Sequence, residues 1–413
     1  MSSTTTSGID RKLLAVLRRL LGPIPIALVL RDCRNVPETD APLLGTIRIP
    51  DRSTLLAMAV DPEVSFGDAY SEGRIEMEGY LARSLEFAYQ SSAGTPNWYR
   101  RLRSKWLDWT QANTRNGSRA NIHRHYDLSN DFYRLWLDER MLYTCAYFPT
   151  PDASLEAAQQ AKMEMVCRKL RLQSGESVVE VGCGWGALAI YMAQQYGARV
   201  RAFNISHQQI AYAREWAKRE GVASQVEFIE DDYRSVTGNF DVFCSVGMLE
   251  HVGREHYREL SRAIRRTIGD TGRGFLHFIG RNRPRPLNAW IRKRIFPGGY
   301  APTLRESMEV LEPENYSVLD VENLRMHYAK TLEHWLARFE SAFETVVRIR
   351  GIEFARMWRL YLAGSVAAFR TGNLQLFQVL FAGSRSAFVP WTRDDLYAPF
   401  REEQDTELWT RAM

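Results

Sequence analysis

The sequence contains few cysteines and no long apolar segment. Its 413 residues include five cysteines, an odd number scattered along the chain without a Cys-x-x-Cys pair. This pattern predicts neither a disulfide framework nor a zinc cluster. No segment reaches the roughly 18 apolar residues of a membrane-spanning helix, and the first residues, MSSTTTSGID, lack the apolar core of a secretory signal. We therefore expect a soluble cytoplasmic protein with no metal site.

Low-complexity tracts and internal repeats are also absent. The composition is that of a folded globular protein, with 45% hydrophobic and 25% charged residues. A chain of this length is too long for one ordinary hydrophobic core, which favours two domains. We predict a smaller N-terminal accessory domain at 1–105, a linker at 106–124 and a larger domain at 125–413.

The net charge of +5 is unevenly distributed. Between residues 97 and 125, seven Lys/Arg residues stand with one acid, Asp108, and between residues 281 and 294 six basic residues stand with none. Such segments are often solvated surfaces. The alternative is an anionic partner, either nucleic acid or a phospholipid surface.

Short β-branched segments alternate with helical patterns in the larger domain. The predicted strands are 177–181, 199–204, 226–230, 241–246 and 274–279. This alternation predicts an α/β fold with a mostly parallel sheet flanked by helices. We expect a helical tail, because apolar side chains recur at helical spacing in 332–347 and 354–369. Nearer the start, 11–21 has a helical pattern, whereas 44–58 mixes strand and helix signals.

A glycine-rich turn follows the first strand of the larger domain. Within VVEVGCGWGALAIYMA, Gly182, Gly184 and Gly186 let the backbone approach a ligand where a Cβ would collide. A lone turn of this kind also suits dinucleotides. The G-x-G-x-G spacing, with Glu180 two residues before the first glycine, resembles the first motif of the Rossmann-like class I methyltransferases. The resemblance implies that the turn binds the methionine part of S-adenosylmethionine and that a carboxylate meets its ammonium group.

Two further segments continue the cofactor site that this resemblance implies. After the second strand, many methyltransferases have an acid for the ribose hydroxyls, and this chain has neutral polar groups: Asn204, Ser206 and Gln209. After the third strand, we assign Asp232 to the adenine amino group and Tyr233 to the adenine ring, with Asp231 as the alternative acid. The structural alternative for this pair is a capping acid beside a surface tyrosine.

Five more segments, taken with GCGWG and the segment that follows the second strand, resemble the cyclopropane fatty acid synthase family. They are HYDLSNDFYRLWLDERMLYTCAYF at 125–148, SVGMLEHVG at 245–253, FLHFIG at 275–280, FPGGYAPTL at 296–304 and HYAKTLEHWLARF at 327–339. The resemblance is almost continuous from residue 125 to about residue 381, and 61–79 also fits the accessory domain of the phospholipid-acting members. Seven motifs in order are far more specific than any one of them.

The family chemistry requires a dry apolar tunnel and a base. A cis double bond in a lipid chain attacks the sulfonium methyl, and the carbocation then loses a proton from the transferred methyl as the ring closes. Water would quench the cation, so its exclusion is part of the mechanism. The resemblance implies a bound bicarbonate as the base, held by Cys145, Glu250, His277, Tyr328 and the backbone of Ile279. We expect the histidine, the tyrosine and the backbone N–H to donate to the anion, and the glutamate to accept from its hydroxyl.

Three nearby residues receive other roles. We place Tyr143 with the cofactor residues. Cys145 is interpreted as a wall of the site, because no covalent step is required, and His251 as a helix-start residue. The chain departs from the family pattern at four positions that we expect in pocket or cofactor walls, which bears on the product more than on the reaction class: Ala187, Asn204, Leu249 and Phe278.

The resemblance leaves several alternatives open. The same methyl transfer gives a methylene or methyl-branched fatty acid if the cation is resolved differently. A nucleic-acid or small-molecule methyltransferase is the alternative from another class, favoured by the basic segments but lacking a base-methylation signature. A non-catalytic lipid-binding protein is the third, and the complete bicarbonate set argues against it.

The expected partners are an unsaturated acyl chain and the inner face of a phospholipid bilayer, with no nucleic acid. The segment at 281–296 mixes six cations with Trp290, Ile291, Ile295 and Phe296. We predict that these apolar side chains dip into the bilayer while the cations contact anionic headgroups, each contributing about 1 kcal/mol at most. The family resemblance also implies a homodimer.

Overall fold

The structure is a computed structural model that describes residues 8–21, 24–38, 42–91 and 128–397. The predicted linker at 106–124 and the basic segment at 97–125 lie outside the described residues. Within the described residues, two sheets and their helices account for most of the chain.

The strands are β1 (Ile26–Leu30), β2 (Cys33–Asn35), β3 (Gly45–Ile49), β4 (Glu76–Gly79), β5 (Ser177–Val181), β6 (Arg199–Asn204), β7 (Val226–Glu230), β8 (Val242–Val246), β9 (Arg273–Gly280), β10 (Ser317–Asn323) and β11 (Gln375–Ala382). The helices are α1 (Gly8–Leu21), α2 (Arg52–Val60), α3 (Pro62–Ser71), α4 (Leu81–Ser91), α5 (Asn130–Arg134), α6 (Leu155–Leu170), α7 (Ala187–Tyr196), α8 (His207–Arg219), α9 (Leu249–Val252), α10 (Tyr257–Ile268), α11 (Ala289–Arg294), α12 (Leu304–Ser307), α13 (Arg325–Ser341), α14 (Phe343–Arg350), α15 (Ile352–Arg370) and α16 (Asp394–Tyr397). Short 3₁₀ turns lie at Tyr233–Ser235, Arg254–His256, Met308–Val310 and Glu312–Glu314.

Seven strands form the large sheet, in the order β10-β11-β9-β8-β5-β6-β7. Strands β5 to β9 pair in parallel, whereas β11 is antiparallel to both of its neighbours. The strand order reverses between β5 and β8, and such a switch point opens a crevice at the carboxyl ends of the strands. The predicted α/β fold with a mostly parallel sheet is confirmed. Three of the five predicted strands match to the residue, whereas β8 begins one residue later than predicted and β9 extends one residue further at each end.

The tail differs from the helical prediction, because it contains strands β10 and β11. Every residue of β11, QLFQVLFA, is buried, so both of its faces are covered and its apolar run lacks the alternation of a half-exposed strand. The first apolar stripe, at 332–347, is divided between α13 and α14 at Ala342. The second stripe, at 354–369, lies within α15 as predicted.

The N-terminal residues form a small four-stranded sheet, in the order β2-β1-β3-β4. The mixed signal at 44–58 has a simple origin: β3 is followed at once by α2, whose first turn is capped by the Asp51 carboxylate accepting from the Thr54 N–H at 2.7 Å. Helix α15 packs against this region. Its Arg356 guanidinium donates to the carbonyl oxygens of Tyr70 at 2.6 Å and Ile75 at 2.8 Å.

Buried aromatic side chains pack between α5, α13 and α15. Trp136 and Trp335 are both fully buried, with their ring centroids 5.6 Å apart. The Tyr143 ring lies 5.3 Å from each of them. This cluster fixes the segment that joins α5 to α6, and that segment lines the cleft described below.

The basic segment at 281–296 packs against α3. Trp290 and Ile295 are only 4% and 2% exposed, and Arg294 donates two hydrogen bonds of 2.9 Å to the Asp68 carboxylate. Side chains buried in this way cannot enter a bilayer, so the prediction that Trp290 and Ile295 dip into the membrane is wrong. The exposed cations of the segment are Arg283, Arg285, Lys293 and Arg294. None of the described helices is long and apolar enough to cross a membrane.

Candidate active site

A cleft of about 810 Å³, partly open to solvent, lies at the carboxyl ends of β5, β6 and β8. Its position matches the switch point of the large sheet. Six residues that the sequence assigned to the cofactor line it: Tyr143, Glu180, Gly182, Gly184, Asn204 and Gln209. The other four assigned residues, Gly186, Ser206, Asp232 and Tyr233, are not among the lining residues.

The glycines of the turn differ in what surrounds them. All three have left-handed backbones, with φ of +83° at Gly182, +55° at Gly184 and +89° at Gly186. A Cβ on Gly184 would meet no atom within 4 Å, because this residue faces the open cleft. A Cβ on Gly186 would lie 2.6 Å from the Phe228 ring. Gly186 therefore allows α7 to pack closely against β7, and the ligand-contact role predicted for it stays a prediction.

Two buried ionisable side chains line the floor of the cleft. Glu180 is 2% exposed, and its Oε2 atom has no hydrogen-bond partner among the described residues. Burial raises the pKa of Glu180 to about 8, against a smaller opposing effect of Lys162. Lys162 on α6 is 1% exposed and donates to Thr144 Oγ1 at 2.9 Å. Burial lowers the pKa of Lys162 to about 8.

Of the polar residues after β6, some line the cleft and one holds a lining residue in place. Asn204 Nδ2 donates to the Gly184 carbonyl at 3.2 Å and to Gln209 Oε1 at 2.6 Å, which joins the two sides of the cleft. Ser206 is 1% exposed and caps α8, where its hydroxyl accepts from the Gln209 N–H at 3.5 Å. Ser206 thus positions Gln209 and does not face the cleft.

The adenine pair predicted after β7 is engaged elsewhere. The Asp232 carboxylate accepts from the backbone N–H and the guanidinium of Arg234, both at 2.9 Å, and so caps the 3₁₀ turn. The Arg234 guanidinium also lies 4.7 Å from the centre of the Tyr233 ring. The alternative acid, Asp231, accepts from the Asp232 N–H at 2.7 Å. The structure therefore shows the capping arrangement, and the adenine role remains a prediction.

Three of the five residues assigned to the base, Glu250, His277 and Ile279, lie at the end of β9. The Ile279 N–H donates to Glu250 Oε1 at 3.3 Å, which joins β9 to α9. Gln378 on β11 donates its amide N–H to His277 Nδ1 at 3.1 Å, and this places the proton of the neutral ring on Nε2. Both His277 Nε2 and Glu250 Oε2 are buried without a partner in the described part of the chain.

Burial sets the ionisation of this pair. It raises the pKa of Glu250 to about 7, although the Ile279 N–H favours the carboxylate. It lowers the pKa of His277 well below the usual value, with Lys162 acting in the same direction. Near neutral pH, the imidazole is uncharged and Glu250 is close to half ionised.

The Cys145 side chain lies beside the start of α13. The Cys145 thiol is fully buried, contacting the Ala146 carbonyl at 3.1 Å and the Leu324 carbonyl at 4.0 Å, and Tyr328 follows Leu324 by one helical turn. Burial raises the pKa of Cys145, so the thiol stays protonated and forms an apolar wall. All five cysteines of the chain are buried and unpaired.

Four residues of the site were missed by the sequence analysis, and three line the cleft: Thr144, Lys162 and His251. His251 was interpreted only as a helix-start residue. Thr144 lies inside the YTCAY motif, so its position next to two assigned residues was a signal that could have identified it. Lys162 gave no such signal, because it has the pattern of a solvated helix position. The fourth, Gln378, belongs to the unpredicted strand β11. Among the departures from the family pattern, Ala187 and Asn204 line the cleft, but Leu249 and Phe278 lie in an apolar cluster away from it.

Comparison with known proteins identifies the family. The family model described as mycolic acid cyclopropane synthetase matches residues 113–379. A probable fatty acid methyltransferase of Pseudomonas putida is 34% identical over 386 residues, covering 91% of this chain and 96% of its own. The cyclopropane-fatty-acyl-phospholipid synthase of Escherichia coli K12 is 40% identical over 260 residues, covering 62% of this chain and 66% of its own.

Solved structures agree with this assignment. The cyclopropane synthase MmaA2 of Mycobacterium tuberculosis superposes with a TM-score of 0.61 at 28% identity, covering 64% of this chain and 98% of that one. Mycolic acid cyclopropane synthase CmaA1, solved with SAH and CTAB, gives 0.60 at 30% identity, covering 64% of this chain and 97% of that one. The chain therefore belongs to the mycolic acid cyclopropane synthetase family and is a transferase with the fold of the S-adenosylmethionine-dependent class I methyltransferases.

Proposed function

We propose that this enzyme transfers a methylene group from S-adenosylmethionine to the cis double bond of an unsaturated phospholipid acyl chain, giving a cyclopropane fatty acid. The observation that carries the proposal is a pair of buried polar atoms, Glu250 Oε2 and His277 Nε2, that lack partners within the described residues. They lie at the end of β9, where Glu250 is already held by the Ile279 N–H. A small polar ligand between them would complete the hydrogen bonds of both atoms.

The cleft fits the amino-acid end of S-adenosylmethionine. Glu180 Oε2 is a buried acceptor without a partner among the residues described, and an ammonium group would satisfy it. Gly184 leaves open space beside it. When bound, S-adenosylmethionine supplies an electrophilic methyl group on a sulfonium ion. The chain's contribution is to orient that methyl toward the acyl chain and to keep water away from it.

The pair at the end of β9 fits bicarbonate. The Nε2–H of neutral His277 can donate to an anion, and ionised Glu250 can accept from a hydroxyl group, which together match an anion that carries one hydroxyl. When bound, bicarbonate supplies a base for the proton of the transferred methyl. Glu250 would strengthen that base by accepting its hydroxyl proton in a hydrogen bond, and Tyr328 and Cys145 would complete the wall.

The experiment that tests the proposed reaction uses methyl-labelled S-adenosylmethionine, vesicles of an oleoyl phospholipid, and buffer with or without bicarbonate. We expect a labelled cyclopropane, identified by NMR, that depends on bicarbonate. Glu250→Gln should lower the rate by about two orders of magnitude, as for the loss of a group that assists proton transfer. The exposed neighbour provides the matched control, because Glu255→Gln should leave the rate unchanged. Lipid that stays unlabelled would overturn the proposal.

A second product is favoured by the names of some relatives. The Pseudomonas putida relative is a probable fatty acid methyltransferase. A tuberculostearic acid methyltransferase of Mycobacterium tuberculosis is 34% identical over 391 residues, covering 88% of this chain and 89% of its own. The alternative is therefore a methyl-branched or methylene fatty acid formed after the same methyl transfer. The product mass separates only the saturated methyl branch, so NMR is needed to distinguish a ring from a methylene.

We also propose that the acyl chain comes from an anionic bilayer. With Trp290 and Ile295 buried, the support for this is the pair of exposed cations that follow β9, Arg283 and Arg285. Replacing both with Gln should weaken binding to anionic vesicles by up to about 30-fold, at about 1 kcal/mol for each cation. Arg262→Gln, at an exposed position of α10, is the control. Equal binding by all variants would exclude this surface.

A further inference from the structure

A buried ammonium group in the cleft has no function in the scheme above. Lys162 is 1% exposed, lines the cleft beside Glu180 and reaches it from the middle of α6. Its one hydrogen bond, of 2.9 Å, goes to the neutral hydroxyl of Thr144. An ammonium group has three donors, so two remain for other partners.

The described protein groups around Lys162 do not form an ion pair with it. Besides burial, the largest electrostatic effects on its pKa come from Asp138, Cys145, Glu180 and Cys244, and the nearby His277 is uncharged. Burial raises the pKa of both thiols, so they are uncharged. The Asp138 carboxylate accepts from the backbone N–H groups of Leu142 at 2.8 Å and Arg140 at 3.1 Å. Among the described carboxylates, none forms an ion pair with Lys162, although a buried cation is stable only when it is paired.

Within the part of the chain that the structure describes, Glu180, on the floor of the same cleft, lacks a hydrogen-bond donor, whereas Lys162 lacks further acceptors. Its Oε2 atom is a buried acceptor without a donor from the described residues. The cleft therefore offers one cation with spare donors and one carboxylate with a spare acceptor. The ligand chemistry that completes both is an α-amino acid group, which carries an ammonium and a carboxylate on one carbon.

We propose that Lys162 is the counter-ion of the carboxylate of bound S-adenosylmethionine, so that the amino-acid group lies between Lys162 and Glu180. Thr144 holds the ammonium in place, because its hydroxyl oxygen accepts from Nζ while its own proton stays available to the same carboxylate. This inference rests on the cofactor assignment in the proposed function. It assigns the carboxylate end of the cofactor, which the sequence motifs leave without a partner.

A second lysine on the same helix is a matched control. Lys169 is 3% exposed, but its Nζ donates to Glu322 at 2.6 Å and lies 3.6 Å from Asp320, so its charge is already balanced by the protein. It does not line the cleft. Lys169→Met therefore removes a buried lysine from α6 without touching the proposed ligand site.

The test compares two ligands on the full chain by calorimetry. S-adenosylhomocysteine carries the carboxylate, whereas its decarboxylated analogue keeps the amine and the adenosine. We expect the native protein to bind S-adenosylhomocysteine about ten- to a hundredfold more tightly, as for a hydrogen bond between charged groups. In Lys162→Met, this preference should fall to near onefold, with the affinity for the decarboxylated analogue kept. Lys169→Met should retain the native preference.

Three outcomes would overturn the proposal. The first is equal affinity of the native protein for both ligands, which requires no variant and stays decisive if Lys162→Met fails to fold. The second is a loss in Lys162→Met that is the same for both ligands, since this indicates a purely structural lysine. The third is failure of the native protein to bind either ligand, which refutes the cofactor assignment itself and is thereby distinguished from the other two.

Discussion

Burial of Glu250 leads to the prediction that Glu250→Gln makes the protein more stable at alkaline pH while lowering its rate by about two orders of magnitude. The side chain is 7% exposed, and burial raises its pKa from 4.5 to about 7. Each tenfold change in a proton equilibrium corresponds to about 1.4 kcal/mol, so ionising Glu250 in the folded protein costs about 3 kcal/mol. Glutamine keeps an acceptor for the Ile279 N–H but carries no charge.

The sign of the pH dependence follows from the raised pKa. Between pH 4.5 and about 7, the folded protein binds more protons at this site than the unfolded chain does. The Glu250 contribution to the free energy of unfolding therefore falls as the pH rises through this window and is constant above it. The advantage of Glu250→Gln should be near zero at the acidic end and about 3 kcal/mol above about pH 8.

Urea unfolding of both proteins from about pH 5 to about pH 9 measures this difference directly. Taking the difference between variant and native protein cancels other buried acids, including Glu180 and Asp138. Glu255→Gln, at an exposed position, should give a small difference that does not change with pH. A Glu250→Gln protein that is destabilised equally at every pH would refute the reasoning, because it would show that the carboxylate is not held against a desolvation cost.

Three further predictions concern the turn, the base site and the packing of the basic segment. Gly186→Ala should lower the free energy of unfolding by about 2–4 kcal/mol, because the new Cβ strains the backbone and overlaps with its neighbours. Gly184→Ala should lower the free energy of unfolding by only about 1 kcal/mol, but it should weaken S-adenosylhomocysteine binding in a titration. Gln378→Leu should lower kcat about tenfold, because the His277 proton is no longer fixed on Nε2, and imidazole NMR should show the altered tautomer. Trp290→Ala should cost about 3–4 kcal/mol in urea unfolding by leaving a cavity, and a loss below about 1 kcal/mol would contradict the buried packing.

The sequence predicted the features that depend on neighbours along the chain. Strand β5, the turn after it and the positions of the five parallel strands along the chain follow from local apolar runs and glycines. The cofactor residues that line the cleft, Glu180 and Asn204 among them, stand directly after those strands. Family resemblance assigned both Glu250 and the backbone of Ile279 to bicarbonate, and in the structure the Ile279 N–H donates directly to Glu250 Oε1 at 3.3 Å.

The features that were missed depend on distant partners. Lys162 has the local pattern of a surface residue, and only the fold shows that α6 carries it to the floor of the cleft. Strand β11 is buried on both faces by elements from elsewhere in the chain. Its sequence therefore lacks the alternation of apolar and polar residues that would have predicted a strand. Asp232 and Tyr233 follow the expected strand, but the adjacent Arg234 contacts both of them. The spacing of residues in a sequence does not show which of several partners a carboxylate binds.

The placement of β11 has a consequence for synthesis. This strand is made after β5 to β10, yet it lies between β9 and β10 in the sheet, and its Gln378 meets His277 across 101 positions of sequence. Pairings between such distant segments form slowly. Until Gln375–Ala382 has left the ribosome, β9 is an open apolar edge, of the kind that promotes aggregation. The nascent enzyme thus gains its base site only when β11 docks, so a chain shortened before β11 should appear as insoluble protein and not as a slower catalyst.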